Sequence, residues 1–273
     1  MILRRTAAIA AVGALLVGCG GGSPMLHPAR TLPSGDLRAA SGVSANVATG
    51  SLGDDLTRAR DIAARDPQVP GPPGSNPDYA KGALVAAAVA PGLAPFVSAR
   101  VGVGSQFEGG LAYTGRGVRA DMRRSFDDGP WSLSLGLGLM AALSGRQQGT
   151  ELPNVSLGSL RGYGGDIPVL VGWESVNGIY RFWTGLRGGF ERYVVETLTS
   201  EPKDIVIGAP PLRLEANRYW GGGVLGIATG FRHVHVALEI AAAYQAIEGE
   251  YNGTKVTVNG VTLVPATALW WTF

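Results

Sequence analysis

Trp131-Ser132-Leu133-Ser134-Leu135-Gly136-Leu137-Gly138-Leu139 decides the fold. Its large apolar residues fall on odd positions and its small residues on even ones, which is the two-residue period of a β-strand. A strand of a soluble sandwich would carry large polar groups on its outer face. Here one face is bulky and apolar and the other is only serine and glycine. That combination marks a strand with lipid on one side and a lumen on the other. Val234, Val236, Leu238, Ile240, Ala242 and Tyr244 repeat the pattern, with Glu239 in the middle of the small face.

Working outward from these stretches, ten strands are expected at about 36–48, 95–104, 106–115, 117–126, 130–142, 164–174, 178–195, 212–231, 233–247 and 261–273. Connections after the second, fourth, sixth and eighth are short. Those after the first, fifth, seventh and ninth (49–94, 143–163, 196–211 and 248–260) are long, and only the turn at 115–117 breaks the rule. Short turns on one side and long loops on the other describe an antiparallel, up-and-down transmembrane β-barrel with both termini at the short-turn end. Within 49–94, Leu56, Ala59, Ile62 and Ala63 have helical spacing, so a short helix is expected in the first loop. Gly82–Ala90 reads either as a rim helix or as an alternative first strand in place of 36–48.

Composition agrees. Charged residues make up 16% and glycine 42 of 273 residues, against about 25% and 7% in an average soluble domain. Mean hydropathy is +0.14, yet no apolar run is long enough for a membrane helix. Net charge is only +2 and lysine occurs three times, which argues against a nucleic-acid partner. One cysteine excludes a disulfide scaffold and a cysteine-rich metal site.

That cysteine has a context. Arg4 and Arg5 precede an apolar run from Ala7 to Val17, which ends in Leu16-Val17-Gly18-Cys19. The run has the length of a signal-peptide core. The ending resembles a bacterial lipobox. The resemblance implies a signal peptide at 1–18, cleavage before Cys19, and acylation of Cys19, palmitate included. With Gly20 rather than aspartate next, lipoprotein sorting implies the outer membrane of a Gram-negative bacterium. Cleavage would leave 21 basic and 21 acidic residues. Residues 19–35, rich in Gly, Ser and Pro, read as a lipidated flexible tether on the periplasmic side. The barrel would then be 36–273. At the other end Leu263, Pro265, Thr267, Leu269, Trp271 and Phe273 share a face. This resembles the terminal β-signal of outer-membrane proteins. It implies recognition of Leu269, Trp271 and Phe273 by the barrel-assembly machinery, and contact with outer-membrane lipids and lipopolysaccharide.

Phasing every strand by its bulky face assigns Arg38, Arg100, Glu108, Arg116, Arg119, Asp121, Arg123, Asp166, Glu174, Arg181, Arg187, Glu191, Arg218, His235 and Glu239 to the lumen. Buried charges must be paired or hydrated, and Asp121 and Glu239 are each expected beside a lumen arginine. The mixed signs favour a salt-bridged plug over a narrow, weakly anion-preferring pore. Arg124 and Arg192 fall on the lipid phase near strand ends. Tyr113, Trp131, Trp173, Tyr180, Phe182, Tyr219, Phe231, Tyr244, Trp271 and Phe273 fall outward near strand ends, as interfacial girdles.

Barrel hydrolases and lipid-modifying barrel enzymes use a histidine at the outer rim. Here His27 lies in the tether, and His233 and His235 flank a turn at the opposite end. No catalytic site, cofactor or metal is therefore expected. The His233–His235 pair could take a metal only with a third ligand, and neighbouring positions offer none. The sequence points to a structural or surface-interaction role through the long loops, with an unnamed surface ligand. The alternatives are a narrow pore, a surface enzyme, or a periplasmic lipocalin-like barrel on a lipid anchor.

Overall fold

The computed structural model describes residues 22–65, 76–143, 152, 160–197 and 212–273. Ten antiparallel strands close into one barrel: β1 (Leu37–Thr49), β2 (Gly92–Gly104), β3 (Phe107–Tyr113), β4 (Gly117–Asp128), β5 (Trp131–Ala142), β6 (Leu160–Glu174), β7 (Tyr180–Thr197), β8 (Leu212–Phe231), β9 (Val234–Tyr251) and β10 (Thr254–Thr272). Each strand pairs with its sequence neighbours, and β1 pairs with β10. Leu37 N donates to Phe273 O at 3.4 Å and Phe273 N to Leu37 O at 2.8 Å, so both chain ends of the barrel meet at the short-turn end. Closure leaves no strand edge unpaired, which matters because an unsatisfied backbone group in hydrocarbon costs several kcal/mol.

The outside is apolar. Leu133, Leu135, Leu137 and Leu139 are about half exposed, as are Leu238 and Ile240. All ten aromatics assigned to the girdles are exposed. The inside carries the charges. Among the described residues no helix is long and apolar enough to cross a membrane.

Two helices lie between β1 and β2: α1 (Ser51–Arg65) and α2 (Pro77–Ala88). Asn76 caps α2, its Oδ1 accepting from Asp78 N at 3.1 Å and Tyr79 N at 3.3 Å. Leu52, Leu56, Ala59 and Ala63 of α1 and nearly every residue of α2 are buried against the lumen faces of Tyr193, Val195, Leu214, Ile247 and Tyr251. The pair seals the loop end of the barrel. Gly82–Ala90 is therefore helix and turn, and 37–49 is the first strand.

One expected loop is replaced by strand. β9 and β10 run on to a tight turn at Asn252 (φ 48°) and Gly253 (φ 80°). Asn-Gly is the favoured pair for such a two-residue hairpin. The 248–260 segment is a hairpin extension rather than a loop. The expected loops at 143–163 and 196–211 fall largely outside the described residues.

Glycine has different jobs on the two faces of β8. Gly226 faces the lumen, where a Cβ would run into the Trp183 indole. Gly221 faces outward, with nothing within 4 Å of its Cβ position. Between them Gly222 abuts Ala242 and Ala243. Gly226→Ala should lower the heat-unfolding midpoint in detergent by an amount equivalent to about 1–3 kcal/mol. Gly221→Ala should stay within about 0.5 kcal/mol of the parent. Equal effects of the two substitutions would contradict the assigned faces.

Candidate functional site: the filled lumen

The lumen holds a chain of ion pairs built on β2, β3, β4, β6 and β7. Arg100 bonds both Glu108 and Asp121, the latter through Nη1 to Oδ2 at 3.2 Å. Asp121 also takes Arg119. Arg119 continues to Asp166 at 2.7 and 2.9 Å, and Asp166 accepts Arg187 at 2.5 Å. Arg123 closes on Glu108 at 3.0 Å. Every one of these side chains is at most about a tenth exposed.

The small face of the deciding stretch makes room for this network. A Cβ on Gly138 would come within 2.7 Å of Arg119 Nε and Cζ. Glycine is needed there because the guanidinium lies flat against the wall.

Two further pairs stand apart: Arg218–Glu191 at 2.9 Å and Arg181–Glu174 at 3.0 Å. Arg116 has no carboxylate partner among the described residues. It stacks 4.2 Å over the Tyr193 ring and donates to the carbonyls of Ala87 and of Ala88, the latter at 3.1 Å. Arg218 Nη1 reaches the same Ala88 carbonyl at 3.0 Å, and Asn46 Nδ2 the Val89 carbonyl at 2.5 Å. Three donors from the barrel wall thus meet the C-terminal carbonyls of α2, which a helix end leaves unpaired. The favourable interaction of cations with that end of the helix dipole acts in the same direction.

The other half of the lumen contains the chain's own N-terminal segment. Residues 22–34 were expected in a solvated tether. In the structure Met25, Leu26, His27 and Ala29 are buried within the barrel. Glu239 accepts Met25 N and Leu26 N at 2.7 Å each, and Trp183 Nε1 at 3.0 Å. Arg123 donates to the carbonyls of Pro28, Ala29 (3.3 Å) and Arg30 (3.2 Å). Leu32 N donates to Glu108 Oε2 at 2.8 Å, and Arg187 to the Ser23 carbonyl. Arg30 reaches Ser132 Oγ at 3.1 Å. Wall charges take the place of water for an irregular backbone, which could not otherwise be buried. The composition that suggests a tether is the composition of a segment slender enough to enter.

Two sequence expectations change accordingly. Asp121 does sit between arginines, but Glu239 has no arginine partner among the described residues; backbone N–H groups and an indole hold it. His27 is a lumen residue, not a periplasmic one. The remaining histidines bind carbonyls: His235 Nε2 lies 2.9 Å from Gly178 O and His233 Nδ1 2.8 Å from Thr272 O. Arg192 pairs with the part-exposed Glu215 at 3.1 Å near the loop end, and Arg124 lies over Phe107 and Phe126. Cys19 lies outside the described residues.

No family model matches this chain, and no curated protein matches it either. Solved barrels do. Neisserial surface protein A is 9% identical, with 87% of this chain and 96% of that one covered and a TM-score of 0.31. The copper transporter OprC is 10% identical over 93% of this chain, with a TM-score of 0.35; the match spans 39% of the OprC chain. An anion-selective porin from Comamonas acidovorans is 14% identical over 65% of this chain and 59% of that one, with a TM-score of 0.20. The barrel assignment rests on the strand pairing, not on these scores.

Removing one member of a buried ion pair costs about 3–5 kcal/mol, because the partner's charge is stranded. Asp121 serves two buried arginines, whereas Asp127 lies 3.9 Å from the part-exposed Arg30. Asp121→Ala should therefore lower the unfolding midpoint in detergent well below that of Asp127→Ala. Equal midpoints would contradict the network.

Proposed function

We propose that this chain is an outer-membrane β-barrel whose lumen is closed, and that it acts structurally or by surface interaction through its loop end. The apolar exterior with its aromatic girdles supports a lipid surrounding, since the same surface in water would be one large exposed apolar patch. The filling of the lumen carries the reading against a pore. The ion-pair network and residues 22–34 occupy the turn half, and the two helices occupy the loop half. Between them lies a cavity of only about 70 Å³, lined by Met25, Asn46, Arg187, Tyr193, Arg218 and Trp220 among others. An assembly signal at Leu269, Trp271 and Phe273 belongs to the same proposal, as does contact with lipopolysaccharide.

Acylation of Cys19 has a geometric consequence. Gly22 lies beside Ser44 and Val264, seven residues up β1 from its start at Leu37. That is roughly 18 Å along the barrel axis at ordinary strand rise and tilt. Three residues reach about 11 Å at most. With residues 22–34 seated, an acyl chain on Cys19 cannot enter the periplasmic leaflet. Acylation and the seated segment are thus alternative states of one chain.

Reconstitution of the detergent-purified full chain into planar bilayers tests the closed lumen. Insertion is verified by heat-modifiable migration of the recovered protein. The expected record has no discrete conductance steps. Reproducible steps would favour the narrow pore over the plugged barrel.

A further inference from the structure

At the turn end the lumen opens into a cavity of about 640 Å³. One wall is the N-terminal segment from Pro28 to Ser34. The others carry Arg38, Arg181, Arg232, Asp127, Glu174 and Thr272. We propose that this vestibule binds a small oxyanion, a phosphate or carboxylate group, with Arg38 as the anchoring cation. The proposal goes beyond the closed-barrel reading and depends only on the lumen geometry.

Arg38 is 4% exposed and has no carboxylate within ion-pair distance among the described residues. Its ladder neighbour on β2, Arg100, is already committed to Glu108 and Asp121. The Arg38 guanidinium lies 5.0 Å from the Trp270 ring, and its Nε and Nη1 have no hydrogen-bond partner. Four more buried atoms in this part of the barrel share that condition: Trp270 Nε1, Thr272 Oγ1, Arg181 Nη1 and, on the ring beside Trp270, His235 Nδ1. Thr272 pairs directly with Arg38 across the β1–β10 ladder.

Apart from His235 Nδ1, an acceptor when Nε2 donates to the Gly178 carbonyl, the chemistry of this group is one-sided. Guanidinium and indole nitrogens only donate, and a hydroxyl can. A cation or a second donor would be repelled. A group presenting several acceptor oxygens would satisfy them together, and charge-assisted bonds to such a group are the stronger kind. The nearby acids are occupied. Glu174 is 3.0 Å from Arg181 and 3.8 Å from Arg30, and Asp127 is 3.9 Å from Arg30. Asp36 also lines the cavity and makes no ion pair among the described residues.

Titration calorimetry of the detergent-solubilised full chain tests this at low ionic strength, with inorganic phosphate and with acetate in separate arms and chloride as the control. Saturable binding of at least one oxyanion is expected, with none for chloride. Arg38→Gln should weaken it about tenfold or more, while Arg213→Gln, exposed at the loop end, should leave it unchanged. Should Arg38→Gln fail to give a heat-modifiable barrel, Arg181→Gln takes its place and should also weaken binding. The proposal is overturned if neither oxyanion binds, if chloride binds equally, or if binding survives the Arg38 and Arg181 substitutions intact.

Discussion

A ten-strand barrel has a lumen that must be filled or neutralised from within. Eight-strand barrels are just wide enough for wall side chains to fill, and two more strands open a gap that side chains alone do not close. Every charged group pointing into that gap must find a partner there. Arg38 aside, this chain meets the constraint with three devices. Arginine–carboxylate pairs run round the wall. The C-terminus of a helix docks onto Arg116 and Arg218. An irregular N-terminal segment offers backbone N–H groups to Glu239 and Glu108, and carbonyls to Arg123. The small lumen faces of the strands, Gly138 over Arg119 and Gly226 over Trp183, follow from the same need for space.

The strands were legible because lipid outside and charge inside impose opposite demands on alternate residues. The WSLSLGLGL stretch at 131–139 is that rule in its plainest form. The inward phase of the charged residues followed from it, as did the outward girdle. What did not follow was which group each charge would meet. Glu239 could not be assigned to backbone donors, because backbone donors leave no trace in a residue pattern. Its position mid-strand with no arginine two residues away was the available hint. Gly82–Ala90 is small and apolar throughout, so periodicity alone could not separate helix from strand. The Asn252-Gly253 hairpin was written in the sequence in the strongest short-range turn code, and reading a long loop there missed it.

The N-terminal segment changes the functional reading as well as the packing. As a tether it would be a passive link to a lipid. Seated, it closes the turn half of the lumen, lines the vestibule beside Arg38, and ties β3, β4, β7 and β9 together through their buried charges. The proposed closed lumen rests on this filling. The helix pair seals the loop end.

Hydrogen exchange of the peptide spanning 22–34 in the detergent-folded barrel reaches the centre of this account. The amides of Met25, Leu26 and Leu32 should exchange as slowly as those of the neighbouring strands, because carboxylates inside the lumen hold them. Glu239→Gln should speed exchange at Met25 and Leu26 while leaving Leu32 slow. Exchange of the whole segment at free-chain rates would contradict the account. It would return residues 22–34 to the periplasmic tether that an acylated Cys19 requires.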